Sequence, residues 1–269
     1  MTAPVLLIGA GRMGGALAKG WLAGGQGPVV AVEPKPAPAL KKLAKEGLAI
    51  VPSIAKIPAQ KYRAIVVALK PQVLKPEAAD LAPLARSGAL VVSIAAGINT
   101  GFLQKIWGKD ARIVRAMPNT PGAIGQGITG LFAGKTVTPK DKIQAQKLLS
   151  ALGQTIWVEK ETLIDAVTAI SGSGPAYVFA LVEALAAAAI KLGLPQKEAR
   201  RLARATVIGS GALLAADPKP AEELRRDVTS PHGTTEAAIN VLLARGGLMP
   251  LIAATTKAAQ KRSKELGAK

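Results

Sequence analysis

Three runs of small residues carry the chemistry this chain can offer. They are Gly9-Ala10-Gly11-Arg12-Met13-Gly14, Ile170-Ser171-Gly172-Ser173-Gly174-Pro175-Ala176-Tyr177 and Thr229-Ser230-Pro231-His232-Gly233-Thr234-Thr235. Each reads as a loop of low bulk that delivers the chain into an apolar helix. Where side chains are small, backbone N–H groups can close on a small anion, and the positive end of the following helix favours it. One such loop is ambiguous; three, disposed as a nucleotide half and a helical half, point to an enzyme. Residue types argue against other chemistries. The chain has no cysteine, so it builds neither a disulfide nor a thiolate metal site. Its single histidine, His232, argues against a histidine metal centre and a Ser/His/Asp triad alike, and no metal is expected.

The first run is the most specific. An apolar stretch ending at Ile8 precedes it and a helical pattern follows, the setting that a dinucleotide-binding fingerprint requires. Gly9 allows the tight turn, Gly11 lets the backbone approach a pyrophosphate, and Gly14 lets helix and strand pack; Ala10, Arg12 and Met13 complete the turn. Glu33 ends the second strand, where a carboxylate can bind the adenosine ribose 2′-hydroxyl and favour NADH. Lys35, just beyond, could instead hold a 2′-phosphate and favour NADPH, so the cofactor stands as NADPH or NADH. Ala68-Leu69-Lys70-Pro71 and Ala95-Ala96-Gly97 each follow a strand-like run, which assigns them to the carboxyl edge of the sheet, where ligands bind. Met117-Pro118-Asn119-Thr120-Pro121 follows another. Its prolines stiffen a loop in which Asn119 either offers hydrogen bonds to substrate or builds a plain rigid turn.

These loops need a scaffold, and the first half of the chain supplies one. Continuous apolar runs at 5–8, 29–32, 64–69, 90–94, 112–116 and 155–158 read as strands buried on both faces. Helical segments at 16–23, 39–46 and 76–85 lie between them. Such alternation implies right-handed βαβ crossovers and an α/β fold, with a Rossmann-type, mainly parallel sheet over residues 1–160. Past that point strands largely disappear, and helices are expected from Pro175 to Gly193 and over 195–216, 221–228, 235–244 and 248–266. Residues 161–269 thus read as an all-helical domain. The helix at 176–190 is apolar on nearly every face, so one neighbour cannot cover it. Burial in a two-chain helical core would cover it, and so would the centre of a single chain.

The formal net charge is +18, from 35 Lys and Arg against 17 Asp and Glu. The basic residues are scattered, in pairs such as Lys41-Lys42 and Arg225-Arg226, and aromatics are only 3% of the chain. Stacking platforms for single strands are therefore lacking, and nucleic acid is not an expected partner; a general positive field would draw in anionic cofactor and substrate. No basic leader precedes the first apolar run, and the 176–190 stretch, interrupted by Glu183, is shorter than the ~20 residues a span needs. A soluble, cytoplasmic protein without membrane association is the expectation.

Taken together the motifs resemble the pyrroline-5-carboxylate reductase family over essentially the whole chain. The resemblance runs through the glycine loop, Ala68-Leu69-Lys70-Pro71 and residues 91–97, 115–121, 171–177 and 229–235. The stretch Asp165-Ala166-Val167-Thr168-Ala169-Ile170-Ser171-Gly172-Ser173-Gly174-Pro175-Ala176-Tyr177 is similar to that family's signature. The family implies reduction of the cyclic imine Δ1-pyrroline-5-carboxylate to L-proline by hydride from NAD(P)H, the last step of proline biosynthesis. A protonated imine is already electrophilic, so neither metal nor covalent nucleophile is needed. In family terms Ser230, Pro231, His232, Gly233 and Thr234 would bind the substrate carboxylate, and Thr235 would contact the ring nitrogen as the catalytic group. His232 stands where the family has glycine, in Ser-Pro-Gly-Gly-Thr-Thr. The resemblance also implies that the helical half binds substrate and forms an interlocked homodimer, and that dimers can join into larger rings.

Two other functions fit part of the pattern. A β-hydroxyacid dehydrogenase also joins a dinucleotide domain to helices, but needs a lysine acid/base deep in the helical half. Here the first long helix offers only Lys191, near its end. A non-catalytic NAD(P) sensor would leave Thr235 without a purpose.

Overall fold

Short apolar runs bounded by glycine or proline become strands, and the segments between them fold back as helices. A computed structural model describes residues 3–268. Its first unit comprises residues 3–173 and 259–268. In chain order it contains β1 (Val5–Ile8), α1 (Arg12–Ala23), β2 (Val29–Val32), α2 (Pro38–Lys45), β3 (Leu48–Val51), β4 (Ala64–Val67) and α3 (Pro71–Glu77). There follow α4 (Ala82–Ala85), β5 (Leu90–Ser93), α5 (Thr100–Trp107), β6 (Ile113–Met117), β7 (Gly127–Ala133), α6 (Pro139–Leu149), β8 (Gly153–Trp157) and α7 (Leu163–Val167). The second unit, 174–258, holds α8 (Gly174–Lys191), α9 (Gln196–Ala216), α10 (Ala221–Asp227), α11 (Thr234–Leu242) and the start of α12 (Leu248–Ala268), whose last turns belong to the first unit.

The strands form one sheet in the order β3-β2-β1-β4-β5-β6-β7-β8, parallel throughout except for the β6–β7 pair. This is the mainly parallel Rossmann-type sheet the apolar runs imply. Strands β1, β2, β4 and β5 are buried along their whole length, as a sheet covered on both faces requires. Trp21 and Leu17 of α1 pack on one face with Leu148 and Leu149 of α6; Leu74, Leu103 and Trp107 pack on the other. Each buried indole keeps its polar edge satisfied: Trp21 Nε1 donates to the Leu148 carbonyl and Trp107 Nε1 to that of Ala78, both at 2.7 Å.

Several elements escape the apolar pattern. β3 is a half-exposed edge strand, α5 and α6 lie where no element is expected, and α7 falls in the part expected to be helical but before its first expected helix. β7, which carries Gly127 and Gly130, lies where no strand is expected. Gly130 is needed there because a Cβ would come within 2.6 Å of Val167 Cγ1, where α7 packs on the strand. The helix expected over 76–85 is two: Pro71 opens α3 at its first position, and Pro76, with no N–H to give, closes it soon after.

Residues 161–173 belong with the sheet. Arg115 on β6, only 5% exposed, lies 3.4 Å from Glu161 and 3.9 Å from Asp165. Glu161 also accepts from the Thr100 N–H and hydroxyl, at 2.7 and 2.8 Å, and Ser263 Oγ of α12 donates to Asp165 at 2.7 Å. This network ties β6, α5, α7 and the chain's last turns into one body, which runs to Ser173.

Candidate active site

The glycine loop has the geometry its spacing suggests. Gly9, at φ +87, donates its N–H to the Val32 carbonyl at 3.0 Å. A Cβ there would fall within 2.8 Å of Leu69 Cδ2 and 3.1 Å of the Ala68 carbonyl oxygen. A Cβ on Gly14 would run into the Gly9 carbonyl, with Ala68 Cβ at 3.3 Å behind it. Gly11 is the opposite case: nothing lies within 4 Å of where its Cβ would be. It is the N-cap of α1, a helix with no side-chain cap and no acid in its first turn, so the early N–H groups keep their capacity for an external acceptor. An open approach, an uncapped helix start and no competing carboxylate in that turn suit a pyrophosphate. Arg12 and Met13 open the helix, with Arg12 exposed.

β1 and β4 lie side by side at the point where the strand order reverses, and a cavity of about 520 Å³ opens beyond the carboxyl ends of β1 and β2. Of the residues singled out from sequence, Ile8, Gly9, Glu33 and Leu69 line it. Ser53 and Ile54 after β3, Glu77 on α3 and Asp80 beyond it line it too, and the sequence reading missed them. For Ser53 and Ile54 the signal was the carboxyl end of β3, a strand it did not assign; Glu77 and Asp80 lie within the stretch expected to be one helix over 76–85. Glu33 is fixed by backbone: its Oε2 accepts from the Ala10 N–H at 3.0 Å and its Oε1 from the Lys35 N–H at 3.2 Å. The Lys35 side chain is exposed and does not line the cavity. Lys70, also exposed, is the N-cap residue of α3 and Pro71 its first residue.

Ala95, Ala96 and Gly97 lie elsewhere on the same edge. Gly97, at φ +73, backs onto Leu266 and Gly267, where a Cβ would meet backbone within 3.3–3.4 Å. It lines a separate cavity of about 330 Å³ with Arg115, Glu161 and Asp165. Asn119 has committed its side-chain carbonyl, which accepts from the Ile128 N–H at 3.0 Å and pins the start of β7. Its amide hydrogens remain as donors.

The run at 170–177 is helical, which corrects its reading as a loop. A π-turn over Thr168–Gly172 follows α7 directly, with the Ser173 N–H on the Thr168 carbonyl at 2.8 Å, and α8 begins at Gly174. Pro175 supplies a cause: it has no N–H for the carbonyl four residues back, and the helix widens just before it. Gly172 lets this turn approach the end of β6, since a Cβ there would come within 2.8 Å of Met117 Cε.

In the second unit, Thr229-Ser230-Pro231-His232-Gly233 leads into α11, whose first residue is Thr234. The N-cap is Gly233, and no side chain caps the helix. Gly233 is required because a Cβ would press on Ser230 Oγ. Ser230 and His232 are exposed, and His232 takes a left-handed φ of 57, a region glycine adopts far more readily than a side-chain-bearing residue. Its backbone N–H donates to Glu236 Oε2 at 2.9 Å. Thr229 and Thr168 hydroxyls bond back to carbonyls four residues earlier, at 2.6 and 2.8 Å. The hydroxyls of Thr234 and Thr235 make no hydrogen bond among the described residues. A loop of small residues, uncapped N–H groups and two uncommitted hydroxyls together offer donors to a small carboxylate.

Comparison with known proteins supplies the family. Residues 161–266 match the family model described as pyrroline-5-carboxylate reductase dimerisation, and residues 4–97 one described as NADP oxidoreductase, coenzyme F420-dependent. The chain is 41% identical over 268 residues to the pyrroline-5-carboxylate reductase of Pseudomonas aeruginosa, covering 98% of this chain and 97% of that one. A solved pyrroline-5-carboxylate reductase from Coxiella burnetii superposes with a TM-score of 0.90 at 37% identity, covering 99% of both chains. The Plasmodium falciparum pyrroline carboxylate reductase, solved with NADP bound, gives 0.81 at 28% identity over 99% of this chain and 98% of that one. With glycine crevice, uncapped α11 and full-length likeness in agreement, this chain belongs to the pyrroline-5-carboxylate reductase family.

Proposed function

We propose that this chain reduces Δ1-pyrroline-5-carboxylate to L-proline with NADH or NADPH, the last step of proline biosynthesis. The observation that carries the proposal is end-to-end likeness to named reductases, at 41% identity over 98% of the chain. Residues 1–160 form the dinucleotide half in this reading, and 161–269 the half for substrate and dimerisation. When bound, the reduced nicotinamide supplies the hydride. The chain's part is positioning: Gly9, Gly11 and Gly14 admit the pyrophosphate to the start of α1, and Glu33 holds the adenosine ribose.

The loop from Ser230 to Thr234 holds the substrate carboxylate on hydroxyl and N–H donors at the positive end of α11. Thr235, in the second position of that helix, directs its hydroxyl to the ring nitrogen. There it orients the imine and keeps a proton on the nitrogen as the imine carbon receives hydride. The uncommitted Thr235 hydroxyl supports this role.

The helical stretch Leu163–Lys191 is long and apolar enough to cross a membrane by length and composition. It runs through α7, the π-turn and α8, inside the match described as dimerisation, so we assign its cover to a second copy of this chain. Dependence on a soluble NAD(P)H pool favours a cytoplasmic site. The test is turnover of pyrroline-5-carboxylate with NADH and NADPH oxidation followed in parallel, for the native chain and Thr235→Ala. Stereospecific L-proline formation and a roughly 100-fold lower kcat in Thr235→Ala, with cofactor binding unchanged, are expected. Cofactor binding without turnover would overturn the substrate assignment.

A further inference from the structure

The cavity beyond β1 and β2 is acidic in a strongly basic protein. The chain carries +18, yet three carboxylates, Glu33, Glu77 and Asp80, line this cavity and no lysine or arginine does. Arg12, Lys35 and Lys70 stand nearby in sequence, all exposed and none lining it. It is the part of the crevice an adenosine would enter, since the first glycine of the loop and the end of β2 both open on it.

Glu33 is not a swinging surface acid. The β1–β2 register pairs Ile8 with Val32, so Glu33 comes directly beside Gly9. Backbone N–H groups of Ala10 and Lys35 each hold one of its oxygens. A carboxylate oxygen has two acceptor positions. Each oxygen therefore keeps one for a ribose hydroxyl while the first fixes it in place. Unphosphorylated ribose, with two neighbouring hydroxyl donors, matches that pair of acceptors.

A 2′-phosphate is the wrong partner on three counts. It replaces a donor by acceptors, it brings close to two negative charges beside Glu33, and it adds Glu77 and Asp80 to the repulsion. Resting on the cofactor-binding reading above, we propose that Glu33, backed by Glu77 and Asp80, makes this chain an NADH-preferring reductase that excludes the 2′-phosphate. The Plasmodium falciparum relative is solved with NADP bound, so the shared fold does not of itself exclude the phosphate.

The test is a binding titration of the full chain, read by cofactor and tryptophan fluorescence without substrate. The probes are NADH and NADPH, followed by competition with 5′-AMP and adenosine 2′,5′-bisphosphate, which differ only in the 2′-phosphate. NADH should bind at least about tenfold more tightly than NADPH, and 5′-AMP should outcompete the bisphosphate by a similar factor. Raising salt from about 50 to about 500 mM should narrow both gaps, because screening acts on charge repulsion and not on shape. Glu33→Gln should reduce the NADH preference to within about threefold. The surface pair Glu77→Gln/Asp80→Asn, which leaves the glycine loop untouched, should reduce it partly. Equal or tighter NADPH binding by the native chain would overturn the proposal while leaving the reductase reading intact. A salt-independent preference would overturn the electrostatic cause, and failure of both dinucleotides to bind would overturn the cofactor reading itself.

Discussion

The two units bury their apolar residues to opposite degrees. In the sheet unit, four central strands are buried along their whole length, and Trp21 and Trp107 are sealed among leucines with their indole N–H groups paired. In the helical unit, the buried hydrophobics among the described residues are Ala186, Ala199 and Ala203, all where α8 meets α9. Phe179 is 61% exposed, Ile208 61% and Met249 70%. The first unit buries its own apolar residues; the second leaves them exposed, as a domain matching a dimerisation family would. Its stability is therefore tied to protein concentration in a way that the first unit's is not.

The largest effect should come from breaking the unfinished half. Phe179→Glu puts a charge on the apolar face of α8 in both copies at once. Losing two buried phenylalanines costs about 3–6 kcal/mol per dimer, before any charge is desolvated, so the dimer should weaken by more than about 100-fold. Sedimentation at micromolar concentration should show a monomer without turnover that still binds dinucleotide through the sheet unit. A Phe179→Glu chain that stayed dimeric, or a native chain that was an active monomer, would break the comparison.

A smaller effect is expected inside the finished half. Arg115→Met leaves Glu161 and Asp165, partly buried and still bonded to Thr100 and Ser263, without their cation, at a cost of about 1–3 kcal/mol. Denaturant unfolding should show that loss as a lower midpoint, while sedimentation under native conditions stays unchanged. Dissociation at full folding would mean that the network serves assembly, and the two units would not be separable as described.

The same contrast governs what sequence could reveal. Where burial is complete the pattern is loud: the runs at Val5–Ile8, Val29–Val32, Ala64–Val67 and Leu90–Ser93 are continuous because both faces are covered. β3 is quiet because it is an edge, and β7 because Gly130 must make room for Val167. Missing β3 also hid Ser53 and Ile54, while the acidic character of the cavity comes from Glu77 and Asp80, in and just after α3, joining Glu33. The glycine loop was legible because close backbone approach leaves no alternative to glycine at Gly9 and Gly14. The run at Ser171 misled for the same reason: small residues that fill a tight π-turn and ones that open a loop look alike. The exposed face of α8 was legible as a problem, an all-apolar helix, though not by itself as a dimer.

The smallest effect concerns the one non-glycine residue at positive φ among those described, His232 in the helical unit. A left-handed backbone costs a side-chain-bearing residue about 1–2 kcal/mol, whereas glycine adopts it freely. His232→Gly removes that strain, and glycine's greater freedom in the unfolded chain offsets about 0.4–1 kcal/mol of the gain. The N–H bond to Glu236 comes from the backbone and survives the change. The imidazole is exposed, so little packing is lost. A net stabilisation of about 0.5 kcal/mol should follow, read as a small rise in the denaturant midpoint, with turnover within about threefold of the native chain. Because the residue sits in the loop assigned to the substrate carboxylate, kinetics sharpen the point. A loss above about 100-fold in kcat/KM, equivalent to roughly 2.7 kcal/mol, would mean that the imidazole acts on the substrate.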